Sequence, residues 1–543
     1  MFDPISIKED DILLGEEDSS LSSTTKSKSI DIECYVPMGA PPANLLSPGH
    51  NAKDKSSSPS SSSPSSSWKA YMKELGMDTL SLCLTLPILT FFTLIALLNT
   101  AKRHFDLKHS TSSNNINQRR LQEMKVDEEI TRDETYYAKR WGYDCQEHRA
   151  ITEDGFILKM YRFRSNHAGP ANGMLAEFEM SLYLTLRLSF FLPSLFSLSH
   201  IDNRKPVLLG HGLFQCSGDF VLNEKDSIVF ALVDQGYDVW TGNNRAVGSL
   251  EHVSLSSDDP CYWDWGLKEL GVYDLPAMLD YICAATGYEK VGYIGHSQGN
   301  AQAFIALSLQ PELAKKMSCF VALAPAVVSG SLIHTFPLRH LIHMNRKTFS
   351  ILFGRKAFLG MMTTAQQTLP PTLMCTLAYS VFCYLFAWWD HHWVRRRKVK
   401  YFQYTPRPVS TRLLLDWLDG WGRQGVCLHI NNTTKTAADE EYVKIPLAII
   451  YGDSDYLVDG ASFVRSFEGY ENHGLMEDEW RQLDHHRSPP MERPSFPTLD
   501  LVHVERIPGY EHMDTIWAHD NTTTTYPVIF SILKIADWKP SVE

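Results

Sequence analysis

The run "YIGHSQGNAQA", Tyr293 to Ala303, places Ser297 between Gly295 and Gly299 in the spacing G-x-S-x-G. In a turn of this kind the two glycines let neighbouring backbones approach, and the serine hydroxyl stands at the tip, where it can attack an acyl carbon. The flanks fit. "KVGYIGH" is a short β-prone run, and "NAQAFIALSLQPEL" has the Ala and Leu content of a helix that stops near Pro311. Three fixed positions also arise by accident, so a bare strand-to-helix turn is the alternative until a base and an oxyanion site are found.

Further along, "YGDSDYLVD" follows an apolar strand with Asp453, Asp455 and Asp459, and "IPGYEHMDTIWAHD" offers His512 in a turn before a helical stretch. The order Ser297, Asp455, His512 is one in which nucleophile, acid and base occur in chains of this kind. His512 would take the serine proton and return it to the leaving alcohol, while the carboxylate holds the imidazole tautomer. Asp455 stands far enough past Gly452 to turn towards such a site, with Asp459 as the substitute. Backbone N–H groups of Leu213, in "LLGHGLF", and Gln298 would form the oxyanion hole, each worth roughly 3 to 4 kcal/mol at the transition state. His211 reads as a structural hydrogen bond within its loop. His485 and His486 read as solvated, and no ligand spacing points to a metal. The chemistry of these residues needs no cofactor.

Parallel strands would position these groups. "KPVLLGHG", "GYDVWTGNNR", "KVGYIGHSQG", "KMSCFVALAPAV" and "IPLAIIYGDSDYLVD" each end in polar or glycine-rich residues, and they alternate with helical patterns as in a sheet covered on both faces. Ligands bind at the C-terminal edge of such a sheet. The chain of 543 residues is 44% apolar and 21% charged, enough for one large core plus extensions. Its 51 basic and 63 acidic side chains give a net charge of −12, which sets nucleic acid aside as a partner. Ten cysteines without C-x-x-C spacing read as mostly buried thiols and lean towards a reducing compartment.

Residues 1–76, with the tract "KDKSSSPSSSSPSSSWK", read as a disordered tail. Residues 77–99 contain "LSLCLTLPILTFFTLIALL", Leu80 to Leu98, uncharged and long enough to cross about 30 Å of hydrocarbon. It is expected to be a transmembrane segment, or a membrane hairpin bent at Pro87, with a buried core helix as the plainer alternative. A linker, 100–128, follows. Lys102, Arg103 and Lys108 against Lys69 and Lys73 slightly favour a cytosolic C-terminal domain.

The stretches "WGYDCQEHRAITEDGFILKMYRF", "LLGHGLFQCSGDFV", "GYDVWTGNNR", "YIGHSQGNAQAFIALS", "YGDSDYLVD" and "GYEHMDTIWA" together resemble the acid lipase family of α/β-hydrolases, within it the fungal membrane-anchored steryl ester hydrolases. The resemblance spreads over nearly all of Glu129 to Trp538. It implies the α/β-hydrolase fold with a mostly parallel central sheet and an inserted, mainly helical cap. It also implies Ser297 as nucleophile, Asp455 as acid, His512 as base, and Leu213 with Gln298 as oxyanion donors. On that basis the core comprises 129–326 and 443–543, and 327–442 form the cap over the site. Two insertions depart from the family. Residues 171–203 have the Ser/Leu/Phe/Pro bias of a translated intron end, or form a second membrane contact; residues 472–500 read as a surface loop, cheap in closure entropy.

The expected activity is hydrolysis of steryl esters at a membrane or lipid-droplet surface, on the endoplasmic reticulum or, alternatively, the plasma membrane. Triacylglycerol is the alternative substrate, and a silent lipid-binding homologue the alternative class. Within 327–442, Trp388 and Trp389 of "LFAWWDHHW" are expected to enter lipid, while Arg395, Arg396, Arg397, Lys398 and Lys400 meet anionic headgroups, the plainer alternative being a buried cap helix with a solvated charged end. The anchor is expected to be separable from the hydrolase.

Overall fold

The computed structural model describes residues 64–109, 126–165, 203–358, 360–422, 442–467 and 496–539. Residues 1–63 of the tail, 171–202 of the first insertion and 472–495 of the second lie outside them.

Eight strands form one sheet. They are β1 (Tyr143–Ile151), β2 (Ile157–Ser165), β3 (Pro206–Gly210), β4 (Asp238–Gly242), β5 (Val291–His296), β6 (Met317–Leu323), β7 (Ile445–Gly452) and β8 (Leu499–Ile507), in the spatial order β1-β2-β4-β3-β5-β6-β7-β8. From β4 to β8 all neighbours are parallel, and β1 and β2 add an antiparallel edge. Every residue of β3, β4, β5 and β6 is buried, as expected where helices cover both faces. A two-toothed ion pair crosses from β2 to β4: Arg162 donates from Nε and Nη2 to the two oxygens of Asp238 at 2.7 and 2.6 Å. It is buried, so the fork-to-carboxylate fit replaces the water each charge has lost.

Helices flank this sheet. Before it runs α1 (Pro64–His109). Next come α2 (Ile228–Asp234), α3 (Leu275–Thr286) and α4 (Gln298–Leu309). Between β6 and β7 the chain leaves the sheet to form a helical insertion of α5 (Arg346–Phe353), α6 (Pro371–Phe386), α7 (Lys398–Tyr404) and α8 (Thr411–Gly422). Two helices, α9 (Gly460–Arg465) and α10 (Thr525–Ile535), complete the fold. Of the described cysteines seven are free, five of them buried, and Cys261 is disulfide-bonded.

The 25 residues Thr79–Arg103 of α1 are long and apolar enough to cross a membrane. Yet α1 is not separate from the hydrolase. It packs on α5 and α6, the hydroxyls of Ser81 and Thr85 donate to the carbonyl of Leu352, and Phe92 meets Phe336 at 5.8 Å. At its far end the Arg103 guanidinium lies 3.7 Å over the Trp389 ring. From Ser81 to Arg103 this contact runs along about 33 Å of helix. Sequence reading separated the two because a hydropathy pattern shows only that a helix is apolar, and not which apolar surface it meets.

The basic block also departs from expectation. Arg396 and Arg397 both donate to Glu224, Lys398 to Asp390, and Lys400 to Glu128. Burial alone would raise Glu224, but these cations outweigh it and hold the carboxyl at about 2. Only Arg395 stays largely exposed, with 63% of its side chain in solvent. Arg396, Arg397 and Lys400 therefore fasten the insertion to segments outside it, while Lys398 is held within the insertion by Asp390.

Deleting residues 1–100 should strip cover from α5 and α6. The expected outcome is a thermal midpoint several degrees below that of the full chain in the same detergent, checked by scanning fluorimetry; an unchanged midpoint would show that the α1 contacts carry no stability.

Candidate active site

The site is built at the C-terminal edge of the sheet. Register aligns Gly210 of β3 with Gly295 of β5, and Ile507 of β8 with Gly452 of β7, so the segments after these strands emerge side by side. Ser297 follows β5 with φ 53° and ψ −114°, a conformation that L-residues avoid. A Cβ on Gly295 would lie 2.3 Å from Asn300 Oδ1, and one on Gly299 would lie 2.4 Å from the carbonyl of Gly210. Glycine is therefore required at both positions by lack of room.

Three of the residues picked out by sequence meet in one row. Ser297 Oγ and His512 Nε2 are 2.8 Å apart, and His512 Nδ1 is 2.8 Å from Asp455 Oδ2. A carboxylate can only accept, so His512 donates from Nδ1 and presents an accepting Nε2 to the serine hydroxyl. Asp455 Oδ1 accepts the N–H groups of Leu457 and Val458 at 2.9 and 3.2 Å, which fixes the carboxylate plane. The other two aspartates are spent elsewhere. Asp459 caps α9 through Ser462, and Asp453 accepts from the Gly509 N–H and pairs with Arg506.

Leu213 lines the pocket at Ser297, together with Phe214, Ala326, Phe386, Trp388, Trp417 and Leu457. Gln298 opens α4, so its N–H is one of the first-turn amides that have no acceptor within a helix. Its side-chain oxygen accepts from the Trp417 indole of α8 at 2.9 Å. His211 is structural: its Nδ1 donates to the carbonyl of Gly212 at 2.9 Å and its Nε2 accepts the Asn244 N–H at 3.2 Å. Burial pulls this imidazole down to about 4 and keeps it neutral. Beneath the row, His296 lies 2.7 Å from Gln215 Oε1, which also accepts the Gly212 N–H at 2.7 Å.

Sequence reasoning missed one shell altogether. Trp388, expected in lipid, is 4% exposed and lies nearly parallel to His512 at 6.1 Å. The Trp389 N–H donates to Glu511 Oε2 at 2.6 Å, and Arg103 and Glu511 contact opposite nitrogens of His391 at 3.2 and 3.4 Å. The end of α1 thus reaches the residue next to His512. Only the adjacency of Glu511 to His512 could have signalled this. His392, His519 and Asp520 form a group whose ligand atoms lie within 4.8 Å of one another, with His519 Nδ1 donating to the carbonyl of His392 at 2.8 Å.

A profile described as the alpha/beta hydrolase fold matches residues 205–461, and one described as a partial alpha/beta-hydrolase lipase region matches 135–224. Topology and profile agree on the class, an α/β-hydrolase. Lipase member K of Homo sapiens is 30% identical over 338 residues, covering 59% of this chain and 77% of that one. Gastric triacylglycerol lipase of Rattus norvegicus is 29% identical over 72% of this chain and 89% of its own length, and sterol esterase 2 of Saccharomyces cerevisiae 27% over 73% and 70%. The chain belongs to the acid lipase family of α/β-hydrolases.

Two outcomes are expected here. Asp455→Asn should lower ester turnover by about three to four orders of magnitude, since an amide no longer enforces the His512 tautomer, whereas Asp459→Asn should chiefly lower the melting temperature; the reverse ranking would overturn the assignment of the acid. The second concerns Glu511, which burial raises from 4.5 to about 8, with Asp455 and Asp390 adding to the rise and Arg103 opposing it. Between those values the folded chain keeps a proton that the unfolded chain loses, so this group's contribution favours folding most at acid pH and declines towards pH 8. Glu511→Gln should flatten the fall in melting temperature between pH 5 and 8, and an unaltered pH profile would refute the linkage.

Proposed function

We propose that the chain hydrolyses steryl esters to sterol and fatty acid, with Ser297 as nucleophile, His512 as base and acid, and Asp455 as its orienting carboxylate. The observation that carries this reading is the hydrogen-bonded row from Asp455 through His512 to Ser297, to which we add the N–H groups of Leu213 and Gln298 as the oxyanion donors. Ser297 Oγ bonds to the acyl carbon as its proton passes to His512 Nε2, and the carbonyl oxygen becomes an oxyanion held by the two N–H groups. Collapse breaks the ester C–O bond, and the alcohol leaves with the proton from His512. Water, deprotonated by the same imidazole, then releases the acid and restores the serine.

Sterol as the leaving alcohol is supported by the yeast sterol esterase among the relatives. The gastric lipases favour triacylglycerol as the second reading, and the carbonyl chemistry is the same for both. The insertion between β6 and β7 acts as the cap, closing the pocket over Ser297 to about 20 Å³, room for a water and far too little for a lipid ester. A lipid ester therefore enters only when the cap shifts. α1 holds the enzyme in a membrane or at the surface of a lipid droplet, where these water-insoluble esters reside.

Emulsified cholesteryl oleate and triolein, assayed side by side with purified protein, should show the higher kcat/KM on the sterol ester, and the opposite ratio would install the triacylglycerol reading. Ser297→Ala should lower both activities at least a thousandfold with membrane association intact, and retained hydrolysis would sink the proposal.

A further inference from the structure

The pocket at Ser297 shares a wall with a second, larger opening. This groove, about 270 Å³ and largely apolar, runs between Ser81, Thr85 and Leu89 of α1 and the residues from Phe353 to Met361 that follow α5, with Arg355 and Lys356 among its lining. Phe358 lines the groove and Phe214 lines the Ser297 pocket, and their ring centres are 6.1 Å apart. These two phenyl rings are thus a partition between the chambers. The hydroxyls of Ser81 and Thr85, the polar groups that α1 brings to the groove, are turned onto the Leu352 carbonyl.

We propose that this groove is the subsite for the acyl chain of a long-chain lipid ester, admitted from the hydrocarbon around α1 and passed between Phe214 and Phe358 to Ser297. The inference rests on the hydrolase reading above and adds where the chain lies and how it enters. Three observations choose this occupant. One wall belongs to the helix that is long and apolar enough to lie in lipid, so the groove opens where acyl chains are the solvent. The Ser297 pocket, walled by Phe386, Trp388, Trp417 and Leu457, is too small for the acyl chain and the alcohol together. A gap that opens between two phenyl rings passes a flexible polymethylene chain but not a fused sterol nucleus, so the alcohol stays on the Trp388 side. A chain leaving lipid for an apolar groove gains little from water release, because it was already out of water. The groove therefore acts by delivery, holding the carbonyl in register with the row, and its effect belongs in turnover of long chains.

Filling the groove from either wall tests this. Leu89→Trp fills it from α1 and Gly360→Leu from the cap, where a new Cβ would sit 3.3 Å from the Ala357 methyl and need only a small shift. Full-length protein in detergent micelles is assayed on 4-nitrophenyl butyrate and palmitate, and on cholesteryl butyrate and palmitate. Each variant should lower kcat/KM on both palmitates about tenfold while both butyrates change less than twofold. Equal losses at both acyl lengths, no loss at either, or a loss that follows the sterol and not the acyl length would overturn the proposal. Hydrolysis of butyrate by the unaltered chain, and its loss in Ser297→Ala, reports the hydrolase reading by itself, so the palmitate-to-butyrate ratio reports the groove alone.

Discussion

The positive φ of Ser297 is the constraint on which the site depends. A non-glycine residue in such a conformation costs on the order of 1–3 kcal/mol and persists only where its surroundings over-determine it. Here they do. The Ser297 N–H donates to the Leu323 carbonyl at 3.0 Å, which also accepts the Asn300 side chain at 2.7 Å. The Ser297 carbonyl accepts from the N–H groups of Asn300 and Ala326 at 3.1 and 3.4 Å. Those bonds tie the turn to the end of β6, and the clearance at Gly295 and Gly299 lets α4 start against β3. The strain holds the hydroxyl 2.8 Å from His512 Nε2 and, at the same step, starts α4 at Gln298 beside the space that Leu213 and Trp388 line.

A second layer of buried polar groups keeps that space shaped. Asn244 donates twice within the protein: its backbone N–H goes to His211, and its side chain to Gln302 of α4 at 2.9 Å. Asn243 receives the Ser217 N–H at 2.9 Å and donates to the Ser217 hydroxyl at 2.8 Å. Arg245 is clamped between Asp274 and Asp154. One short turn after β4 thus fixes the loop bearing Leu213, the helix bearing Gln298 and the segment from β1 to β2. Removing one partner of such a buried charge pair leaves the other uncompensated, at a cost of about 3–5 kcal/mol. Rigid donors are what oxyanion stabilisation needs, because amides already aimed require no reorganisation as charge develops.

Much of this was legible in sequence, and the division follows from the physics of each signal. The parallel strands were readable because a strand buried on both faces must be apolar throughout, as "PVLLG" and "MSCFVAL" are. Ser297 and Asp455 stood out because each follows such a strand with a break in pattern, and His512 because it sits in a turn before a helical stretch; distance past Gly452 favoured Asp455, with Asp459 the substitute until the structure showed it capping α9. Side-chain pairing was not legible. Arg395 to Lys400 reads as a solvated patch, because the partners Glu224 and Glu128 are far away in sequence and nothing local announces them. Trp388 reads as a membrane aromatic for the same reason, since its neighbour His512 is brought to it by the fold alone. The helix α1 is as apolar as its sequence reads, but part of that apolar face meets the cap, and hydropathy carries no information about the partner.

These two misreadings bear on how such an enzyme meets a lipid surface. With Arg396, Arg397 and Lys400 bound to buried carboxylates, these three cations are not free to meet anionic headgroups. The cap region offers apolar groups outward, Phe91, Leu94 and Leu98 on α1 and Phe336, Ile351, Met361 and Leu373 beside it, together with the exposed Arg339, Lys347 and Arg355. Scattered exposed leucines are ordinary, but a run of them along one helix and the cap it packs against is a contiguous apolar surface, the kind the proposed lipid contact would use. Because α1 touches the cap from Ser81 to Arg103, a helix lying in lipid brings the cap with it. The ion pairs of Arg396, Arg397 and Lys400 hold the cap's other side to the core. A shift that admits substrate therefore has to leave those pairs closed and move the α1 side, where contacts are apolar and cost least to exchange for lipid.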